Sequence, residues 1–207
     1  NAANGVLLDD SLTLSSSGNI TASSPQIIAS TAATTTINTT GDISIENSGA
    51  ANAFLSLFGG SGSMLSLDAN AVALNTNIHL SGGAISATAR LGDITLGDNA
   101  RLDVAGITQN FDREKVASAG GDIALSAVAG DVITSSGSVM DVSGSALSDT
   151  QGSRAGSIDI SAVQGDALLQ GVMRGDALAD IEGGEIAVDA KSVGAVDALL
   201  TGINTGA

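Results

Sequence analysis

Few residues in this 207-residue chain are equipped for chemistry. There is a single histidine, His79, and no cysteine. His79 lies in Asn77-Ile78-His79-Leu80, an alternating stretch that reads as a strand with the imidazole turned to solvent. A general base needs a partner that orients it, and a transition metal needs several imidazole or thiolate ligands. With no second His and no Cys, the sequence offers neither a catalytic residue nor a metal ligand set. Carboxylates are plentiful, Asp9-Asp10 among them. In a chain with 22 acidic residues, however, adjacency is no sign of a paired acid and base. Arg174-Gly175-Asp176 spells an integrin-recognition tripeptide and is the one weak candidate for receptor binding. Its competing reading, the favoured one, is a Gly-Asp turn between two strands. No cofactor is expected. Ca²⁺ held between turn Asp residues would serve only as a stabiliser.

Charge and composition narrow the partners. Against the 22 acids stand 7 Lys and Arg, for a net charge of −15, so a phosphate-binding footprint of clustered cations is missing. Nucleic acid is therefore excluded as a partner, and binding to anionic membranes is disfavoured. The uncharged run 11–41 is rich in Ser, Thr and Asn and contains Pro25, which rules out a membrane helix. Hydrophobic residues make up 43% of the chain and are almost all Ala, Val, Ile and Leu. There is no Trp or Tyr, and only Phe54, Phe58 and Phe111 supply rings. That composition predicts a thin core of stacked small aliphatic side chains.

The elements that would position any site come from a recurring phrase: Gly, often with Asp, then apolar-x-apolar. It appears as Gly41-Asp42-Ile43-Ser44-Ile45, Gly92-Asp93-Ile94-Thr95-Leu96, Gly121-Asp122-Ile123-Ala124-Leu125, Gly130-Asp131-Val132-Ile133, Gly156-Ser157-Ile158-Asp159-Ile160, Gly165-Asp166-Ala167-Leu168 and Gly184-Glu185-Ile186-Ala187-Val188. The block 121–131 returns closely as 156–166. Period-two alternation turns one side chain of each pair inward, and Gly and Asp turn the chain sharply. Strands this short cannot stand alone, but stacked coils bury a continuous apolar column. The expected fold is all-β, a parallel β-helix (β-solenoid) of roughly ten coils at about 20 residues each, near 50 Å long. The residues 1–207 read as a single segment of a longer chain, with looser repeats over 1–81 and clearer ones over 82–190. Loop excursions are expected near 107–119, 145–155 and 171–183, and one helical face is proposed for 189–200, from Val193, Val196 and Leu200. Neither end reads as a capping repeat.

The runs 120–127, 137–144, 155–162 and 183–190 resemble the repeats of filamentous-haemagglutinin-type large exoproteins, adhesins of two-partner secretion. The resemblance is clearest over 82–190. It implies a right-handed β-helix, export through an outer-membrane secretion partner, and a secreted, surface-associated role in attachment or biofilm. The Asn-Pro-Asn signatures of that family's secretion domain are missing, so this piece corresponds to shaft. The expected function is a non-enzymatic structural and adhesive shaft that meets a host or neighbouring-cell receptor or glycan. Further coils or end-to-end self-association complete the expected partners. The alternative is a β-helical polysaccharide-active enzyme or carbohydrate-binding module, weakened by scattered cations and missing aromatic platforms.

Overall fold

A computed structural model describes residues 5–49, 61–112, 114–178 and 180–194. Among these every regular element is a strand. The chain winds through three faces in turn, and on faces 2 and 3 each strand pairs in parallel with the strand at the same position one pass later. Face 1 holds Val6–Leu8, Gln26–Ala29, Asn77–His79, Arg101–Asp103, Val139–Asp141 and Val172–Arg174. Face 2 holds Ser11–Ser16, Thr34–Thr39, Met64–Ala69, Ala84–Ala89, Asp122–Ala127 and the first halves of Ser157–Leu169 and Glu185–Gly194. Face 3 holds Ile20–Ser23, Ile43–Glu46, Val72–Asn75, Ile94–Leu96, Val132–Thr134 and the second halves of the same two long strands.

Inward positions line up as columns because the register is kept from pass to pass. On face 2, Leu65, Ile85, Ile123 and Ile158 are successive partners and all are buried. On face 3, Ile43, Val72, Ile94 and Val132 are the same. Ile45, Leu96, Leu125 and Ile160 are buried too, while Ile186 and Val188 are partly buried on the last rung. Burying one such Ile side chain contributes roughly 1.5–3 kcal/mol, which no isolated rung could collect.

The described residues make seven rungs on faces 2 and 3, not ten, and the stack is roughly 30 Å long. The reason is that a pass is usually longer than the expected 20 residues: successive face 2 strands begin at 11, 34, 64, 84, 122, 157 and 185, which are 20 to 38 residues apart. In the later passes the repeating phrase opens two faces. Gly41-Asp42, Gly92-Asp93, Gly130-Asp131 and Gly165-Asp166 open face 3, whereas Gly121-Asp122, Gly156-Ser157 and Gly184-Glu185 open face 2. Face 1 has six rungs. Gln26–Ala29 pairs directly with Asn77–His79, although two passes over faces 2 and 3 lie between them.

Two segments leave the winding as antiparallel hairpins, within 107–119 and 145–155. Thr108–Phe111 pairs with Glu114–Ala117 across a tight turn in which Asp112 has φ 45°, and Ala146–Ser148 pairs with Gln151–Gly152. The hairpins are tied together by serines. Ser145 Oγ donates to the Ile107 and Ser118 carbonyls at 3.1 and 3.0 Å, and Thr108 Oγ1 donates to the Ala146 carbonyl at 3.0 Å. The third expected excursion, 171–183, begins inside the stack. Val172–Arg174 is a face 1 strand with Met173 buried, and the chain leaves only after it. The helix proposed for 189–200 is not formed over its described part, where 189–194 complete the strand Glu185–Gly194. Pairing with the rung below satisfies that backbone, and a helix would forfeit it. Residues 195–200, like Phe54 and Phe58, lie outside the described residues.

Candidate functional site

The outer surface of face 1 gathers the residues that the sequence suggested separately. The last four of its six strands each carry an inward apolar residue, Ile78, Leu102, Met140 or Met173, followed by an outward residue. Those outward residues are His79, Asp103, Asp141 and Arg174, four consecutive partners in one column. Thus the lone histidine and the first residue of Arg174-Gly175-Asp176 share one ladder with two carboxylates between them.

His79 is half-buried and held at both ring nitrogens. Nδ1 is 3.3 Å from Asp103 Oδ2, and Nε2 is 3.0 Å from Ser81 Oγ. With the proton on Nδ1, facing the carboxylate, Nε2 accepts the Ser81 hydroxyl. Asp103 is also bound by Arg101, through Nε at 3.2 Å and Nη2 at 2.9 Å, and Arg101 Nη2 reaches Asp141 Oδ2 at 3.2 Å. One guanidinium therefore bridges two carboxylates on neighbouring rungs. Burial alone would raise the Asp103 carboxyl, but the hydrogen bond and charge of His79, with the charge and hydrogen bond of Arg101, outweigh it. Its pKa falls from 3.8 to about 2. The remaining oxygens shape the local chain. Asp103 Oδ1 accepts the Ala105 N–H at 3.1 Å, and Asp141 Oδ1 accepts the Ser143 N–H at 3.2 Å and its hydroxyl at 2.7 Å.

Ser81, His79 and Asp103 repeat the connectivity of a nucleophile, base and orienting acid. The nucleophile position fails on access, because Ser81 has 0% of its surface exposed. Attack on a substrate requires an open oxygen beside donors for the developing oxyanion. Arg101 spends its Nε and Nη2 on the carboxylates of Asp103 and Asp141. What the arrangement does is pin three rungs of face 1 together. The sequence reads His79 as a solvent-facing strand residue; the strand is formed, and the ring is half-buried against Asp103 and Ser81. Its partners Ser81, Arg101, Asp103 and Asp141 went unassigned. Aligning Asn77-Ile78-His79-Leu80 with Arg101-Leu102-Asp103-Val104 and Val139-Met140-Asp141-Val142 would have found the last two.

Arg174-Gly175-Asp176 lies along the wall in extended form. The Arg174 carbonyl accepts the Val142 N–H at 2.9 Å, and the Asp176 carbonyl accepts the Gly144 N–H at 2.9 Å. Ser143 Oγ accepts the Asp176 N–H at 3.1 Å, and the Gly175 carbonyl accepts the Gly184 N–H at 2.8 Å. A Cβ on Gly175 would come within 2.7 Å of the Gly184 Cα, so the glycine is there for close backbone approach. Both flanking side chains, Arg174 and Asp176, are exposed. Beside this segment is a groove of about 200 Å³ lined by Asp122, Arg154, Ser157, Glu182 and Glu185. Asp9-Asp10 stands apart from both sites, at the corner entering the first face 2 rung.

Among the described residues no group of three or more His, Asp or Glu is arranged to hold a metal ion, and no helix there is long and apolar enough to cross a membrane. No known protein family matches the chain, and no characterised protein or solved structure matches it.

Proposed function

We propose that this chain is a stretch of right-handed parallel β-helix that serves as the structural and adhesive shaft of a secreted bacterial surface exoprotein of the filamentous-haemagglutinin type. The observation that supports it most is the use made of the polar side chains on the walls. His79, Arg101, Asp103 and Asp141 bind one another across neighbouring rungs, and Asp103 and Asp141 also accept the backbone N–H two residues further along their own chain, at Ala105 and Ser143. Such a wall transmits length and presents surface. Attachment would then come from exposed features, Arg174-Gly175-Asp176 and the two hairpins, meeting a receptor or glycan on a host or neighbouring cell. Export through an outer-membrane secretion partner follows from the same family reading. The test is adhesion of beads carrying the purified chain to epithelial cells and to bacterial biofilm. Adhesion that survives His79→Ala and drops with Asp176→Glu is expected, and beads that bind neither surface would overturn the reading.

A second reading is favoured by one specific feature. The groove places Arg154 beside Asp122, Glu182 and Glu185, and acidic or neutral glycans are bound by such mixtures of cation and carboxylate. Glycan-array binding lost with Arg154→Ala, or release of reducing ends from a polysaccharide, would move the chain into the carbohydrate-binding or carbohydrate-active class.

A further inference from the structure

One stretch of the side wall keeps unspent hydrogen-bonding groups in a recess. In an outward column of face 2, Asn38 and Asp68 give way to Thr88, Ser126 and Ser161 on the following rungs. At the adjoining corner toward face 3, Asn70 and Arg90 likewise give way to Val128 and Val163, which are 49% and 59% exposed. Where the larger polar side chains stand, the wall holds a groove of about 390 Å³. Its lining is Ser, Thr, Asn, Asp and Arg throughout, Asn38, Asp68, Asn70 and Arg90 among them. These four lie on or beside the second, third and fourth rungs of face 2, each of which is paired on both edges.

The floor of the groove is fixed by its own bonds. Asp68 holds Arg90 Nη1, the Thr39 carbonyl holds Nη2, and Asn70 Nδ2 donates to the Thr40 carbonyl at 2.5 Å. These contacts tie three rungs together and leave a defined set of groups unused. Asp68 keeps its second oxygen, Arg90 its Nε–H, and Asn70 its side-chain oxygen. The half-buried Asn38 amide makes no hydrogen bond among the described residues, so its two donors and its acceptor are all open. The recess thus offers donors and acceptors side by side, with the charges of Arg90 and Asp68 cancelling.

We propose that this groove binds a neutral hexose of a cell-surface glycan. Every sugar hydroxyl both donates and accepts, so neighbouring hydroxyls answer Asp68 and Arg90 together, or both ends of the Asn38 amide. A sulfate or a sialic acid carboxylate only accepts. It would meet the oxygens of Asp68 and Asn70 and the net charge of −15. An ammonium only donates and would meet Arg90. A peptide draws its affinity from apolar and aromatic anchors seated in pockets, and this lining provides none. The site is separate from the groove at Arg154, which lies at the other corner of face 2.

This rests on the shaft reading only in placing the ligand on another cell. A chain that binds neutral glycans but carries beads to no cell or biofilm sinks the adhesive proposal and leaves this one standing. Adherent beads with no glycan binding do the reverse. The experiment applies the purified chain to an array of neutral hexose-terminated, sialylated and sulfated glycans, printed beside unglycosylated peptides. Binding to neutral glycans is expected, weakened about tenfold by Asn38→Ala and by Asp68→Asn. Ser126→Ala, further along the same column, and Arg154→Ala should leave it unchanged. Circular dichroism checks that the variants keep their strands, and Asn38→Ala breaks no bond within the fold. No binding, or binding confined to acidic glycans or to peptides, would overturn the inference. So would neutral-glycan binding that survives Asn38→Ala or is lost with Arg154→Ala.

Discussion

Asp93 Oδ1 accepts the backbone N–H of Asp131 at 2.9 Å, one rung further along face 3. Asp131 Oδ1 does the same for the N–H of Asp166 at 2.8 Å. The aspartate of the repeating Gly-Asp phrase is thus a staple between successive turns. Its glycine follows from the staple. A Cβ on Gly130 would overlap the Gly92 carbonyl and approach Asp93 Oδ1 to 2.6 Å, and one on Gly165 would meet Asp131 Oδ1 at 2.5 Å. Asn fills the same post near the start of the stack, where Asn19 Oδ1 accepts the Asp42 N–H at 3.0 Å.

Gly130→Ala is accordingly expected to cost about 2 kcal/mol or more by chemical denaturation, because the methyl group meets backbone that cannot yield. Gly18→Ala, where nothing lies within 4 Å, should cost far less. Asp131→Ala should cost about 1–2 kcal/mol by stranding the Asp166 N–H, while Asp131→Asn keeps the accepting oxygen and should be nearly neutral. Equal effects of the Ala and Asn variants would show that the staple carries no weight.

The columns give a pair of opposite expectations. Ile123→Asp sends a carboxylate into a fully buried position, and loss of cooperative unfolding or of soluble protein is expected. Thr35 interrupts the column between Leu12 and Leu65, buried with its Oγ1 unbonded among the described residues. Thr35→Val keeps the shape and removes the stranded hydroxyl, so it should raise stability by about 1 kcal/mol in urea unfolding. A destabilised Val variant would point to a partner for that hydroxyl.

Acid should release face 1 at Asp103. Its folded pKa, about 2, lies below the ordinary 3.8, so the folded state binds this proton less readily than the unfolded chain. The resulting stabilisation is complete above about pH 4 and is lost as pH falls toward 2; it is on the order of 2 kcal/mol. Stability curves of the wild type and Asp103→Asn should differ at neutral pH and converge near pH 2. Parallel curves across that range would contradict the assignment.

The two arginine sites separate a stapling ion pair from a solvated one. Arg101 bridges Asp103 and Asp141, whose side chains are 13% and 10% exposed, so Arg101→Gln leaves two adjacent shielded carboxylates without a counter-charge. A loss of about 2–4 kcal/mol is expected in thermal or urea unfolding. Arg90 pairs with the more exposed Asp68 and also reaches the Thr39 carbonyl. Arg90→Gln should cost about 1 kcal/mol or less.

The strand content and the identity of the inward residues were open to reading in the sequence, since alternation is a local property and a buried Ile must sit on the inner side of its strand. Gly-Asp likewise announced several of the corners, though not which face each one opens. The length of a pass was not readable: two hairpins and other excursions stretch it beyond the expected 20 residues, so the described residues make seven rungs on faces 2 and 3 instead of ten. The helix expected over 189–200 arose similarly: Val193 fits a helical spacing, but in the fold it continues the column of Val132 and Ala167 on face 3.

What the amino-acid sequence determined by itself is the chemistry available: small aliphatics for a thin core, no thiolate, one imidazole, and an acidic surface. What tertiary structure decided is which of those groups meet. His79, Asp103, Asp141 and Arg174 are far apart along the chain and adjacent in one column, because the excursions between them lengthen each turn unequally while parallel pairing keeps the register. Register is set by burial on every rung at once, through contacts that no local window of sequence contains.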